Sequence, residues 1–265
     1  MSRSFRLYAD IGGTNARFRL VDKSGPVSTK VLQVPEYTES LALLESAMKK
    51  LGCTEVTEIR IAVAGRVKDG RAALTNSALV FDAEALSKHL ATEPVVILQN
   101  DLQAAAFGLP FLKDEDSFPL GKNRNKPDPT QPLALISVGT GLGISGYFPG
   151  EAENFVLATE GGHATLPATT DAELRIIQAL AKRFGHVSGE RVLSGSGLVA
   201  LYEVMTRATA PNPADIVDGA LKGDSIKIEV LNQFCGFIGS VAGNMALTYG
   251  AWGGVFLGGG IPPRF

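Results

Sequence analysis

Two glycine-rich turns carry the residues of this chain best suited to chemistry on a phosphate. The first is Asp10-Ile11-Gly12-Gly13-Thr14-Asn15 and the second is Gly139-Thr140-Gly141-Leu142-Gly143. Phosphate oxygens need several converging N–H donors at short range. Glycine lets the backbone come close and adopt positive φ, so that successive N–H groups turn inward. Thr14 adds a hydroxyl. Asp10 is placed to hold Mg²⁺ through water, because Mg²⁺ prefers oxygen ligands and keeps much of its hydration. Taken alone, the first turn also fits a glycine-rich hairpin whose Asp satisfies turn amides. A second turn at an equivalent place points instead to two phosphate clamps facing each other across a cleft. Two other phosphate loops are excluded: GxxxxGK[ST] is absent, and Gly139-x-Gly141 lacks the third glycine of the dinucleotide fingerprint and leads into a strand.

Hydrophobic periodicity gives the elements that must position these turns. Residues 5–9 and 18–21 read as strands on either side of the first turn, and 29–34 as a third. A helix starts at Thr38, with Leu41, Leu44, Met48 and Leu51 on one face, and Gly52 ends it. Residues 59–64 and 95–98 read as buried strands, with a short helix capped by Asp82 between them. The later strand delivers Asn100-Asp101 to the start of a helix over 102–111. Residues 119–132 show no periodicity. A domain boundary is placed before them near residue 110, giving a small domain over 1–110 and a large one over 111–265. The opening pattern then returns. Residues 133–138 form a strand, the second turn follows, and 144–148 form another strand. The same unit therefore heads both halves, an internal duplication.

The rest of the second half reads as helical. Thr170-x-x-Glu173 is a capping box, followed by an apolar stripe of Leu174, Ile177, Leu180 and Phe184. Helices are expected over 197–208 and 214–221. A long apolar helix over 225–249 is expected in the core, where Gly236, Gly239, Ala242 and Gly243 would admit another backbone closely. A last strand over 254–257 runs into Gly258-Gly259-Gly260.

Bulk properties exclude several classes. A net charge of −2 offers no field for nucleic acid or an anionic membrane. The polar Ser240, Asn244 and Thr248 along the long apolar helix weigh against a membrane span. Cys53 and Cys235 form no CxxC pair, which fits a reducing cytoplasm better than a disulfide or zinc framework. No signal peptide is visible at the N-terminus.

The ordered set of motifs resembles the bacterial glucokinases of the actin/hexokinase/Hsp70-like ATPase superfamily. Asp10-Ile-Gly-Gly-Thr-Asn-Ala-Arg17 resembles their phosphate-1 motif and Gly139-Thr-Gly-Leu-Gly143 their phosphate-2 motif. Gln99-Asn100-Asp101, continuing through Ala104 to Pro110, resembles the catalytic sugar segment. Glu160-Gly161-Gly162-His163 and the stretch from His186 through Glu190 to Gly197 resemble two further sugar-contact segments. Gly253 to Ile261 resembles the adenosine segment. The matches run in family order along nearly the whole chain.

The resemblance implies an α/β fold with two ribonuclease H-like domains around a cleft. It also implies ATP-dependent phosphorylation of glucose with Mg²⁺, and a homodimer. Asp101 would be the base that takes the sugar hydroxyl's proton, a role its chemistry allows. Asn76, Asn100, Glu160, His163 and Glu190 would bind the sugar. Asp10, Gly12, Gly13, Thr14, Asn15, Gly139, Thr140, Gly141, Gly258, Gly259 and Gly260 would bind the nucleotide and its metal. His89 and His186 are read as structural. The cysteine-rich zinc segment of related sugar kinases is missing after His163, which places the chain in the zinc-free branch.

Two departures stand out. Family members continue past the segment resembling 261–265 into a helix that returns to the small domain, and this sequence ends at Phe265. Ala64-Gly65-Arg66 stands where an Ala-x-Pro-like turn is expected. A kinase for mannose, fructose or an amino sugar is the rival within the same architecture. A non-catalytic sugar-binding relative is the rival outside it. Against the latter, the first strand begins near Phe5, which leaves no room for the helix-turn-helix of repressor relatives, and Asp10 and Asp101 are both retained.

Overall fold

The computed structural model describes residues 4–74, 77–121 and 126–265. They fall into two compact units that meet in sequence at Ala105 and Ala106. The first unit contains β1 (Arg6–Ile11), β2 (Asn15–Asp22), β3 (Gly25–Gln33), α1 (Ser40–Leu51), β4 (Glu58–Val63), β5 (Val67–Lys68), β6 (Arg71–Ala73), β7 (Val80–Asp82), α2 (Ala83–His89) and β8 (Val95–Asn100). The division falls inside α3 (Asp101–Gly108).

Alternation builds the main sheet of this unit. Leu7, Ala9 and Ile11 of β1 and Ala16, Phe18 and Leu20 of β2 are buried, while Arg6, Asp10, Arg17 and Arg19 between them are exposed. Successive strand residues point to opposite faces, so the buried set shares one face. Leu43, Leu44, Ala47 and Met48 of α1 join the same core. The strand order is β3-β2-β1-β4-β8. β1, β2 and β3 form an antiparallel meander, and β4 and β8 then run parallel to β1. A small second sheet, β5-β6-β7, was not expected from the sequence. Its strands are too short to show a period.

The second unit repeats the scheme with β9 (Leu133–Val138), β10 (Leu142–Phe148), β11 (Phe155–Thr159), α4 (Asp171–Phe184), α5 (Gly195–Thr206), α6 (Pro213–Leu221), α7 (Ser225–Tyr249) and β12 (Gly254–Gly258). Its sheet order is β11-β10-β9-β12, again a meander followed by a parallel strand. The duplication read from the sequence is thus a duplication of topology, of the ribonuclease H-like kind. Strand β11 was not expected, and its burial does not alternate.

Three helices differ from expectation. α3 stops at Gly108, and residues 109–111 form a 3₁₀ turn. Pro110 supplies no N–H to continue the α ladder. On α4 the buried residues are Glu173, Ile176 and Leu180, whereas Leu174 is 46% exposed. Ile177 and Phe184 of the expected stripe do pack against the core, and Glu173, which closes the capping box, also faces inward. α7 is buried along one face only, through Val230, Leu231, Phe234, Phe237, Ile238 and Val241. A Cβ built on Gly239 or Gly243 would meet open space, so no backbone in the described residues packs on that stripe. By length and composition alone α7 could cross a membrane.

The capping box itself is complete. Glu173 N–H donates to Thr170 Oγ1 at 3.2 Å, and Glu173 Oε2 accepts from Thr170 N–H at 3.2 Å and from Thr169 N–H and hydroxyl, each at 2.6 Å. Burial pushes this carboxyl up, but the Thr169 and Thr170 donors outweigh it and hold it below the usual range. Thr170→Ala should cost about 1 kcal/mol of stability in urea unfolding. Glu173→Gln should destabilise at neutral pH, where the depressed group stabilises fully. That penalty should fade as pH falls below the ordinary glutamate value of about 4.3. A pH-independent difference would contradict the assignment.

Candidate active site

In the first unit, parallel pairing brings two acidic segments to one edge of the sheet. Asp10 of β1 lies opposite Ala62 of β4, and Ala62 lies opposite Gln99 of β8. Asp10 and the Asn100-Asp101 pair therefore leave the same carboxyl-terminal edge two strands apart, about 10 Å by strand spacing. Carboxyl ends of parallel strands are where ligands bind in open α/β sheets.

Asn100 holds this edge together. Its Oδ1 accepts from Leu102 N–H at 3.0 Å and Gln103 N–H at 3.2 Å, and Gln103 Oε1 accepts from Asn100 N–H at 3.4 Å. This is a reciprocal cap of α3, which the Asn-x-x-Gln spacing could have revealed. Asn100 Nδ2 donates to Gly65 O at 3.1 Å, so one of its two amide donors is already engaged. A Cβ at Gly65 would run into the Ala73 carbonyl oxygen, which accounts for glycine in Ala64-Gly65-Arg66.

Asp101 Oδ1 accepts from Leu102 N–H at 2.8 Å, so the residue also helps cap α3. Its carboxyl is pushed above the usual range, first by burial and then by the charge of Asp10, and backbone N–H groups only partly offset this. A helix N-terminus favours ionisation, but here desolvation wins. Asp10 is exposed and reaches Arg17 Nη1 at 3.2 Å. Among the described residues no three His, Cys, Asp or Glu side chains converge as metal ligands. A cation at Asp10 would draw its other ligands from water and phosphate, as Mg²⁺ does, and would relieve the repulsion between Asp10 and Asp101.

The first turn is closed by Gly12 N–H to Asn15 O at 3.0 Å and tied to the end of β3 by Val34 N–H to Thr14 O at 2.8 Å. Gln33 Nε2 holds Asn15 Oδ1 at 2.8 Å. Gly13 and Thr14 are left exposed.

In the second unit the equivalent turn is a hub. Gly139 N–H closes on Gly141 O at 2.9 Å, Gly195 N–H at the start of α5 donates to Gly139 O at 2.9 Å, and Ile261 N–H donates to Val138 O at 3.1 Å. Thus β12 delivers Gly258-Gly259-Gly260 directly beside Gly139-Thr140-Gly141. Positive φ was expected in the paired turns. Gly12, Gly139 and Gly141 lie outside it, and Gly259 alone among the glycines assigned to the nucleotide has it, at 91°. In the turns glycine serves close approach instead. A Cβ on Gly141 would strike the Glu190 carboxylate, and one on Gly259 the Val138 carbonyl.

The three polar residues of the sugar-contact segments converge on this hub. His163 lies 3.9 Å from Glu160 through Nε2 and 3.9 Å from Glu190 through Nδ1. Both distances exceed hydrogen-bonding range, so the group keeps donors and acceptors for something placed among them. Glu190 N–H donates to Gly162 O at 2.8 Å, and Gly162 packs so closely on Leu142 that a Cβ would collide with its carbonyl. Gly162 and Gly65 were missed from the sequence because their role is a close approach by a distant segment. His89 and His186 are satisfied by Ala85 O at 2.7 Å and Thr165 Oγ1 at 2.9 Å. Asn76 lies outside the described residues.

The glucokinase family model matches residues 7–265. A glucokinase of Nitrobacter hamburgensis is 37% identical over 273 residues, which cover 99% of this chain and 83% of that protein. The bifunctional protein glk of Paraburkholderia xenovorans is 35% identical over 98% of this chain, which spans only 41% of that longer protein. Among solved structures, a glucokinase from an Antarctic psychrotroph has a TM-score of 0.88 and 31% identity, over 99% of this chain and 85% of that one. With the motifs, the duplicated topology and these likenesses in agreement, this chain belongs to the glucokinase family.

Proposed function

We propose that this chain transfers the γ-phosphoryl group of ATP to the 6-hydroxyl of glucose, with Asp101 as the general base. The observation that carries the assignment of the base is the Asp101 carboxyl, half-buried at the carboxyl edge of β8 and raised in proton affinity by that burial. A base whose affinity for a proton is raised by burial accepts the hydroxyl proton as the O6–P bond forms and the bond to the ADP oxygen breaks. Asn100 offers its remaining amide donor to a neighbouring hydroxyl. Glu160, His163 and Glu190 bind further sugar hydroxyls in the second unit.

The turns of Gly12, Gly13, Thr14 and Asn15 and of Gly139, Thr140 and Gly141 hold the phosphates, and Gly258, Gly259 and Gly260 line the adenosine side. Asp10 would hold Mg²⁺ through water, and the cation would supply neutralising charge to the phosphates. As part of the same reading, the enzyme works in the cytoplasm as a homodimer on free glucose, without nucleic acid or membrane as a partner.

The direct test is glucose-dependent ADP formation, with mannose, fructose and glucosamine alongside. Turnover on one of those sugars in preference to glucose would replace the substrate. Asp101→Asn should lower kcat by about 10²- to 10⁴-fold with glucose binding kept. It should not lower stability at neutral pH, since burial disfavours the charge it removes. In the wild type, kcat/KM should fall on the acid side at a pH above that of an ordinary aspartate. A near-normal kcat for Asp101→Asn would remove Asp101 from the mechanism.

Gly259→Ala forces a side chain into positive φ and against Val138. It is expected to raise the KM for ATP about tenfold or more with that for glucose little changed. An unchanged ATP dependence in a folded variant would contradict the nucleotide assignment.

A further inference from the structure

One carboxylate touches both halves of the proposed chemistry. Glu190 Oε2 accepts the N–H of Leu142 at 3.0 Å, in the turn assigned to phosphate. Its Oε1 faces His163 Nδ1 at 3.9 Å, in the group assigned to sugar. The contact with the turn is intimate, since only a glycine at position 141 leaves room for the carboxylate.

The stem of Glu190 is also fixed. Its N–H is held by Gly162 O at 2.8 Å, and its carbonyl accepts from Ser194 Oγ at 2.8 Å. Ser194 caps α5, and the next residue, Gly195, donates to Gly139 O at 2.9 Å. The side chain and the backbone of Glu190 therefore both lead to the same turn.

We propose that Glu190 is a positioning residue for the phosphate turn as well as a sugar contact, and that through it sugar occupancy and nucleotide affinity are coupled. This rests on the functional reading above and deepens it. A charge-assisted bond from Leu142 N–H fixes where the turn's other N–H groups point. A sugar hydroxyl donating to Oε1 fixes the carboxylate plane, and with it Oε2 and the turn. Coupling of this kind is reciprocal: glucose tightens nucleotide binding by the factor by which nucleotide tightens glucose binding.

The test is calorimetric titration of ADP into wild type, Glu190→Gln, Glu190→Ala and Glu190→Asp, with and without glucose, with thermal melting to confirm folding. Glucose should tighten ADP binding to the wild type by about fivefold or more. Gln keeps a neutral acceptor for Leu142 N–H, so ADP affinity without sugar should stay within about threefold of wild type while glucose binding weakens. Ala loses the acceptor, and Asp, one methylene shorter, draws it back from the turn. Both should bind ADP about tenfold more weakly even without sugar, and glucose should no longer tighten it. Asp retains the charge and serves if Ala does not fold.

A residue that only contacts sugar would leave ADP binding in the absence of glucose unchanged. That result in Ala or Asp, with an active wild type, overturns the inference and leaves the kinase reading standing. A wild type that neither binds ADP nor phosphorylates a sugar removes the kinase reading and the inference together.

Discussion

The second unit depends on how closely backbone can approach the segment from Val138 to Leu142. Four separate stretches press on it: the start of α5 on Gly139, the residues after β12 on Val138, the 161–163 turn on Leu142, and Gly189-Glu190 on Leu142 and Gly141. At Gly141, Gly162, Gly189 and Gly259 a side chain would enter space already held by carbonyl oxygens, a carboxylate or the Leu142 side chain. At these four positions glycine is therefore a packing requirement. Interiors are close-packed, so a site assembled this way has one arrangement and little freedom to relax. Such rigidity is what the proposed phosphate role requires, since donors fixed in advance stabilise charge without reorganisation.

The first unit shows a different compromise. Asp101 sits where the helix N-terminus stabilises negative charge, yet burial and the neighbouring Asp10 raise its proton affinity. The Leu102 N–H and the Asn100 side chain pull in the opposite direction and offset part of that rise. Asn100 thus has a structural role whatever it also does for a ligand, since its amide joins the end of β8 to Gly65 beyond β4.

Local signals were legible in the sequence and long-range ones were not. The capping box at Thr170, the Asp82 cap, the glycine stop after α1 and the span of α7 all depend on residues within one turn of each other, and each was read correctly. The role of Gly65 could not be read, because it depends on Ala73 and Asn100 arriving from other strands. The stripe on α4 was right at Ile177, Leu180 and Phe184 and wrong at Leu174, because a buried Glu173 breaks the rule that carboxylates face out, and its Thr169, Thr170 and Gln233 donors make that burial tolerable. α7 was expected in the core because it is long and mostly apolar, yet which of its faces is covered is set by its neighbours. Of the site, the two turns and the ordered motifs were visible. Their geometry was not, including the absence of positive φ from Gly12, Gly139 and Gly141.

The duplication reaches further than a repeated strand order. In the first unit, Ala64 N–H, just past β4, donates to the last carbonyl of β1, Ile11 O, at 3.0 Å. In the second, Ile261 N–H, past β12, donates to the last carbonyl of β9, Val138 O, at 3.1 Å. Immediately after each of those carbonyls a glycine N–H closes the turn, Gly12 on Asn15 and Gly139 on Gly141. Each parallel strand also ends in a glycine pressed against a carbonyl oxygen, Gly65 on Ala73 and Gly259 on Val138. One hydrogen-bonded frame thus supports both turns. What differs is a strand: the first sheet continues past β4 to β8, which leads into Asp101, whereas the second ends at β12. A frame that satisfies its own backbone can carry a further strand at its edge without refolding. The same frame therefore stands beside an acid in one copy and beside glycine backbone in the other.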